Sequence, residues 1–513
     1  MVSGSTIENP QAAFDRVISG PSVIVLLHLV KSSPSIARAI ARVSHAWPHR
    51  LTSQELFGPS GLTAIANDRL LRSLLESIAI PDAGLERLLT TVRYTLLQTV
   101  MAATSDEGAA DILPFSCALA RQCFINEHVY SYTQVEFQHA QQLSRSLVGA
   151  LRAGSAVPPI WPAVVAMYLP LHMLDIAQLL LDRVWPDAMQ KLLAQQVSEP
   201  LAELPYRKSI PLLTPIDDDV SAAVRQQYEE NPYPRWISTA PPTPPTTIDA
   251  HLSAEFPFVS FRKLGKTADI DILVSGCGTG RHAIEVARRF TGARVLAVDL
   301  SLRSLSYAKR KSQELGITNI EYAQADILHL RSMNRRFDLI EAIGVLHHLR
   351  KPTAGWGVLR SLLQPDGFMR LGLYSEMART HITAVRALVA KRGYRATPDD
   401  IRRAREQLMT DTDIASVDRV IRIADFYSAS GCRDLLFHVQ EHQFTLPAIK
   451  AYLDQENLRF IGFKLVNRVK QQYRARFPED VAMTDLNCWH VFETENPGTF
   501  IRLYQFWVQP ASR

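Results

Sequence analysis

The stretch Asp271-Ile-Leu-Val-Ser-Gly-Cys-Gly-Thr-Gly-Arg-His282 decides the fold. A short apolar run leads straight into Gly276, Gly278 and Gly280, and residues of helical composition follow from His282 to Arg289. Glycines at such a junction let the backbone turn sharply and approach a ligand that side chains would exclude. A dinucleotide fingerprint would require its third glycine where Arg281 stands. The lysine and hydroxyl pair of a phosphate loop is missing as well. Outward from this stretch the rhythm repeats. Ile270–Ser275, Val295–Asp299, Ile320–Ala325, Phe337–Ile343 and Gly367–Tyr374 are strand candidates, with a helix expected over Leu302–Leu315. Strands and helices at this interval predict βαβ units and a parallel sheet covered on both faces. The alternation then stops. Residues 376–443 read as helical and basic, before Arg459–Leu465 and Phe500–Gln509 supply two further strands.

Two carboxylates close strands beside the glycine loop. Asp299 ends the second strand, where it can accept both hydroxyls of a ribose. Asp326 ends the third, where with Ile327 it can recognise and sandwich an adenine. Loop, second-strand acid and third-strand acid together resemble the class I S-adenosylmethionine-dependent methyltransferases. Gly344-Val-Leu-His-His-Leu349 and Leu363-Gln-Pro-Asp-Gly367 are similar to that family too. The resemblance implies a Rossmann-like α/β fold and S-adenosylmethionine as cofactor. It puts Gly276, Gly278 and Gly280 against the methionine part, Asp299 at the ribose and Asp326 with Ile327 at the adenine. Cys277 and Leu300 are counted to the same pocket. The family often carries an acidic residue two positions before the first glycine; here Val274 stands there.

His347 and His348 fall where the active site of such a fold opens, at the carboxyl ends of strands. His347 is the candidate to take a proton from an acceptor, the alternative being packing beside the cofactor. His438-Val-Gln-Glu-His442 spells the His-x-x-Glu-His of one zinc protease family. On a helix, His438 and His442 would share a face with Asp434 one turn earlier. A helix lining the acceptor pocket, with His438 catalytic, is preferred over a solvated face or a metal centre, and no metal is expected. The insertion 376–443 is expected to wall or cover the acceptor site.

Upstream, Glu199 to Thr247 is dense in proline, which argues for extended connection without regular structure. Within it lies Tyr228-Glu-Glu-Asn-Pro-Tyr-Pro-Arg-Trp236. This segment resembles one found before the methyltransferase domain in bacterial proteins that fuse it to helical, often tetratricopeptide-like, regions. Tyr233 and Arg235 offer a flat ring and a fork of donors suited to a carboxylate-bearing ligand such as the cofactor's methionine end. The competing reading is a rigid strap whose Trp236 packs between domains. The first 200 residues read as helices: Leu85, Leu88, Leu89, Val92, Leu96 and Val100 share one face, Ile112–Tyr130 and Val135–Leu151 follow, then a long segment from Ala163 to Gln195. The expected domains are therefore a helical domain at 1–200, a proline-rich linker at 201–265 and a methyltransferase domain at 266–513, with its insertion at 376–443.

Composition excludes several classes. With 513 residues, 47% hydrophobic and 21% charged, the chain is neither disordered nor coiled coil. Residues 1–240 carry 18 Lys/Arg against 22 Asp/Glu and the remainder 38 against 29, which would put any anionic ligand in the second part, although solvated faces are the commoner reason for such an imbalance. Five cysteines form no disulfide framework. The N-terminus lacks the pattern of a signal peptide, and Ile160 to Leu174 is too short to span a bilayer. A cytoplasmic location without membrane attachment is expected. The methyl acceptor is not legible; a protein or peptide is slightly favoured, a small metabolite comes next, and a non-catalytic cofactor-binding module is the alternative from another class. Nucleic acid is disfavoured, since the basic run Lys391 to Arg405 lacks interleaved aromatics.

Overall fold

A computed structural model describes residues 21–102, 109–501 and 503–511; the N-terminal residues read above for a signal peptide lie outside them. Seven strands form one sheet: β1 (Ile270–Ser275), β2 (Ala293–Asp299), β3 (Ile320–Gln324), β4 (Phe337–Ile343), β5 (Leu363–Leu373), β6 (Leu458–Phe463) and β7 (Tyr504–Pro510). Their order is β3-β2-β1-β4-β5-β7-β6. β1 to β5 pair in parallel, with Ile272 opposite Val295 and Leu339. β7 lies antiparallel between β5 and β6. The Rossmann-like sheet expected from the strand–helix rhythm is the fold found.

Alternate residues of each strand feed two cores, as the two-residue period of a strand requires. Ile272, Val274, Val295, Ala297, Leu339 and Phe368 face one cluster, packed by Ala283 and Val286 of the helix Arg281–Arg289. Leu273, Leu296, Val298, Ile340 and Met369 face the other, with Trp356, Trp489 and Phe506. Burial on both faces explains why these strands read as unbroken apolar runs. β5 starts at Leu363, four residues before the expected Gly367.

The chain divides into two compact units. One holds the sheet and comprises Glu203–Pro234, Pro242–Leu388 and His438–Arg513. The other joins the described residues up to Ala202 to Arg235–Pro241 and Val389–Phe437. These boundaries differ from the expected ones, and the insertion is where they differ most. Residues 389–437 pack among the N-terminal helices: Arg405 makes a buried two-pronged pair with Glu86 (3.0 and 2.7 Å) and also donates to the carbonyls of Phe426 and Val129. Arg87 donates to the Met409 carbonyl at 2.9 Å, and the Ala429 N–H to Asn126. The bulk of the insertion is thus core of the helical unit.

Two further expectations change. The segment 163–195 is not one helix but Ile160–Ala166, Ala177–Leu181 and Asp187–Leu193, broken at Pro170 and Pro186. The proline-rich stretch is not devoid of regular structure: it forms the helices Glu199–Ser209 and Asp219–Glu230. The first of these continues directly from a π-helical turn at Ala194–Ser198, and Pro205 lies inside it. Asp218 caps the second helix by accepting from Val220 and Ser221. Among the described residues no single helix is long and apolar enough to cross a membrane.

Candidate functional site

Strand order reverses between β1 and β4, so a crevice opens beyond the carboxyl ends of β1, β2 and β4, where open α/β sheets bind ligands. The glycine loop lies at its floor. Gly276, Gly278 and Gly280 have φ of +69°, +51° and +83°. A Cβ on Gly276 would stand 2.4 Å from Val345 in the loop after β4, and one on Gly278 would stand 2.6 Å from the carbonyl oxygen of Tyr233. Both positions therefore demand glycine for conformation and for space. Cys277 is buried, and its thiol is pushed well up by burial and the nearby Asp299. The helix that follows the loop is tied to β4 through His282, whose Nε2 lies 2.5 Å from Glu341; Arg370 completes the pair at 3.2 Å. Burial alone would raise the Glu341 carboxyl, but Arg370 and His282 hold it far below the usual range.

Asp299 leaves the end of β2 with one oxygen accepting the Gly278 N–H at 2.8 Å and the other the Ser301 N–H at 2.9 Å. Burial raises its carboxyl above the ordinary aspartate range, against the pull of those two donors. Leu300 next to it is half-buried, its carbonyl held by the Gln324 amide. Asp326 is fully buried. Its Oδ1 accepts the Leu328 N–H at 2.9 Å, its own N–H donates to Thr214 Oγ1 at 2.8 Å, and Oδ2 has no hydrogen-bond partner. A buried carboxylate oxygen left unpaired is costly, and such an atom calls for a donor. Ile327 beside it is 5% exposed and belongs to the core. At the end of β4, the Cβ direction of Gly344 opens onto empty space.

The segment before the sheet reaches this crevice. The Tyr228 carbonyl accepts from Ser301 Oγ (3.1 Å), Glu229 accepts the Arg303 N–H, and Thr279 Oγ1 bonds the Pro234 carbonyl. Tyr233 is thus at the glycine loop. Arg235 belongs to the other compact unit, where its guanidinium lies 4.2 Å over the ring of Phe124, a cation–π contact. Trp236 is buried in the same unit.

The histidines form a stacked column. His347, fully buried, lies on Tyr374 with centroids 3.7 Å apart, and meets His348 edge to face. His348 stacks on His438 at 3.7 Å. Both ring nitrogens of His347 lack a hydrogen-bond partner; burial first, then His348 and Arg379, keep the ring neutral. His438 follows the end of the helix Ala429–Phe437, and residues 438–443 are non-helical. The expected helical face shared by His438 and His442 does not exist, because the chain leaves the helix at Phe437. Glu441 instead accepts a two-pronged bond from Arg379 (3.1 and 2.8 Å) and one from Arg386 (2.8 Å). Thr214 and Tyr374 escaped the sequence reading, whereas Tyr228 lies in the segment it singled out. The first two come from distant segments, and no spacing marks them.

Comparison with known proteins agrees with this geometry. Residues 272–367 match the methyltransferase domain family. The chain is similar to an uncharacterized protein of Synechococcus sp., 27% identical over 48% of this chain and 60% of that protein. It is also similar to a ubiquinone biosynthesis O-methyltransferase of Cereibacter sphaeroides, 34% identical over 24% of this chain and 44% of the relative. Among solved structures, PKMT2 from Rickettsia typhi is similar with a TM-score of 0.41 and 16% identity, over 52% of this chain and 54% of that one. The chain spans about half the length of the curated relatives it matches. By the family match, residues 272–367 are similar to a methyltransferase domain.

Proposed function

We propose that the chain is an S-adenosylmethionine-dependent methyltransferase that binds its cofactor across the carboxyl ends of β1 to β4. The observation that carries this reading is Asp326: a buried carboxylate at the end of β3 with one oxygen unpaired, placed to accept the exocyclic amine of an adenine. Asp299 holds the ribose hydroxyls, Ile327 and Leu300 contact the base and sugar, and Gly276, Cys277, Gly278 and Gly280 pass beneath the methionine part. Tyr233 contributes to the cover over the loop. S-adenosylmethionine supplies a methyl group made electrophilic by its positively charged sulfur. The chain's own part is to align the acceptor atom with that methyl and to exclude water from the crevice. His347 is the candidate proton acceptor, since its ring is neutral and neither nitrogen has a hydrogen-bond partner. His438 is less suited to that task, because its Nδ1 already accepts the Gln440 N–H and its Nε2 faces the Tyr228 phenol.

The acceptor we propose is a protein or peptide, docked with the help of the large helical unit. A small-molecule acceptor is the second reading, supported by the relatives that act in ubiquinone biosynthesis. A cytoplasmic setting is consistent with five free cysteines, four of them buried. Transfer of tritium from labelled cofactor into a fractionated lysate tests the acceptor. Label that is protease-sensitive supports the peptide reading, and label that extracts into organic solvent replaces it with the small-molecule one.

A further inference from the structure

The phenol of Tyr228, in the Tyr228–Pro234 segment, reaches the histidine column. Its oxygen lies 3.2 Å from His438 Nε2. The other ring nitrogen of His438, Nδ1, accepts the backbone N–H of Gln440 at 3.1 Å. A backbone N–H can only donate, so Nδ1 carries no hydrogen, and a neutral ring must bear its proton on Nε2. His438 therefore donates to Tyr228, and its tautomer is set by the main chain. The ring is further held by stacking on His348 and by Arg386, which donates to the His438 carbonyl at 2.8 Å while also bound to Glu441.

At its other end Tyr228 is tied to the far side of the crevice. Its carbonyl accepts from Ser301, whose own N–H binds Asp299 at the end of β2. His348, on which His438 stacks, belongs to the loop after β4. β2 and β4 flank β1, so the two anchor points stand two strand spacings apart, on the order of 10 Å. The glycine loop lies between them, and five residues further along the Tyr233 carbonyl covers Gly278.

Resting on the methyltransferase reading above, we infer that Tyr228 is a positioning residue: clasped by Ser301 at β2 and by His438 at β4, it holds the segment Tyr228–Pro234 as a roof over the cofactor and slows the cofactor's release. The role given to His438 is to orient this phenol and not to move a proton. The bond between the Tyr228 phenol and His438 is between neutral groups, so its loss has a modest and measurable effect.

The test is the dissociation rate of S-adenosylhomocysteine from the full chain, followed by displacement in a stopped-flow instrument. Tyr228→Phe keeps the ring and removes the oxygen; it should speed release about five- to tenfold while the melting temperature of the ligand-free protein falls by no more than about 3 °C. His438→Leu removes the same bond from the other side and should match it, and it carries the test if Tyr228→Phe is poorly folded. The double variant should release the ligand no faster than either single one, and His438→Gln, whose amide can donate to the phenol, should release it more slowly than His438→Leu. Unchanged release in both single variants overturns the inference alone. Failure of the wild-type chain to bind S-adenosylhomocysteine in a calorimeter overturns the methyltransferase reading and the inference together.

Discussion

Changing Asp326 to Asn removes one charge and exchanges one acceptor for one donor without altering shape. In the ligand-free chain Oδ1 accepts from Leu328 and Oδ2 has no partner. The asparagine oxygen can keep the cap on Leu328, and the amide then occupies the Oδ2 position. Removal of an unpaired buried carboxylate oxygen relieves a desolvation cost, so ligand-free stability should hold or rise. Binding should move the other way. An adenine amine facing Oδ2 makes a charge-assisted bond worth roughly 1.5–3 kcal/mol, and in the variant it faces another donor. The affinity for S-adenosylhomocysteine should fall roughly ten- to 150-fold. The analogue S-inosylhomocysteine carries a carbonyl oxygen in place of the amine, and its preference should invert: D326N should bind it more tightly than wild type does. Isothermal calorimetry with both ligands, beside thermal melts of the free proteins, reads all three quantities. Equal affinity of wild type and D326N for S-adenosylhomocysteine would refute the adenine assignment, and a loss of ligand-free stability with unchanged binding would make Asp326 a helix cap only.

Cofactor affinity should also depend on pH through Asp299. Its folded carboxyl is raised by burial, so its contribution to folding stability is present below the unfolded value and is lost as pH rises through the folded one. Ribose hydroxyls need the ionised acceptor, so binding runs opposite: calorimetric affinity should drop on acidification from a pH above the ordinary aspartate range, and Asp299→Asn should flatten that limb. In the helical unit, Glu86→Ala leaves the Arg405 guanidinium buried without its carboxylate and should cost about 3–5 kcal/mol in urea denaturation. A loss under about 1 kcal/mol would show that residues 389–437 are not anchored to the N-terminal helices through this pair.

Sequence alone determined the sheet and the floor of the site, and it did so because those features are local. A parallel strand buried on both faces must be an apolar run, a sharp turn against another backbone must be glycine, and an acid at a strand end sits where the next loop begins. Ile270–Ser275 and Phe337–Ile343 were legible to the residue for this reason. So were the positions of Asp299 and Asp326 at the ends of the second and third strands. Tertiary structure decided everything that depends on which distant segments meet. That residues 389–437 join the helices before Ala202 rests on Arg405 finding Glu86, 319 positions away in the chain. Nothing in a helix of mixed arginines and apolar residues says which neighbour it buries against. Helical spacing likewise put His438 and His442 on one face, but the helix ends at Phe437 and Arg386 holds the next carbonyl. Arg235 and Tyr233, two residues apart, part company into different compact units. Periodicity records what one element buries; it carries no information on the partner, because apolar contact is not directional and many partners satisfy it equally.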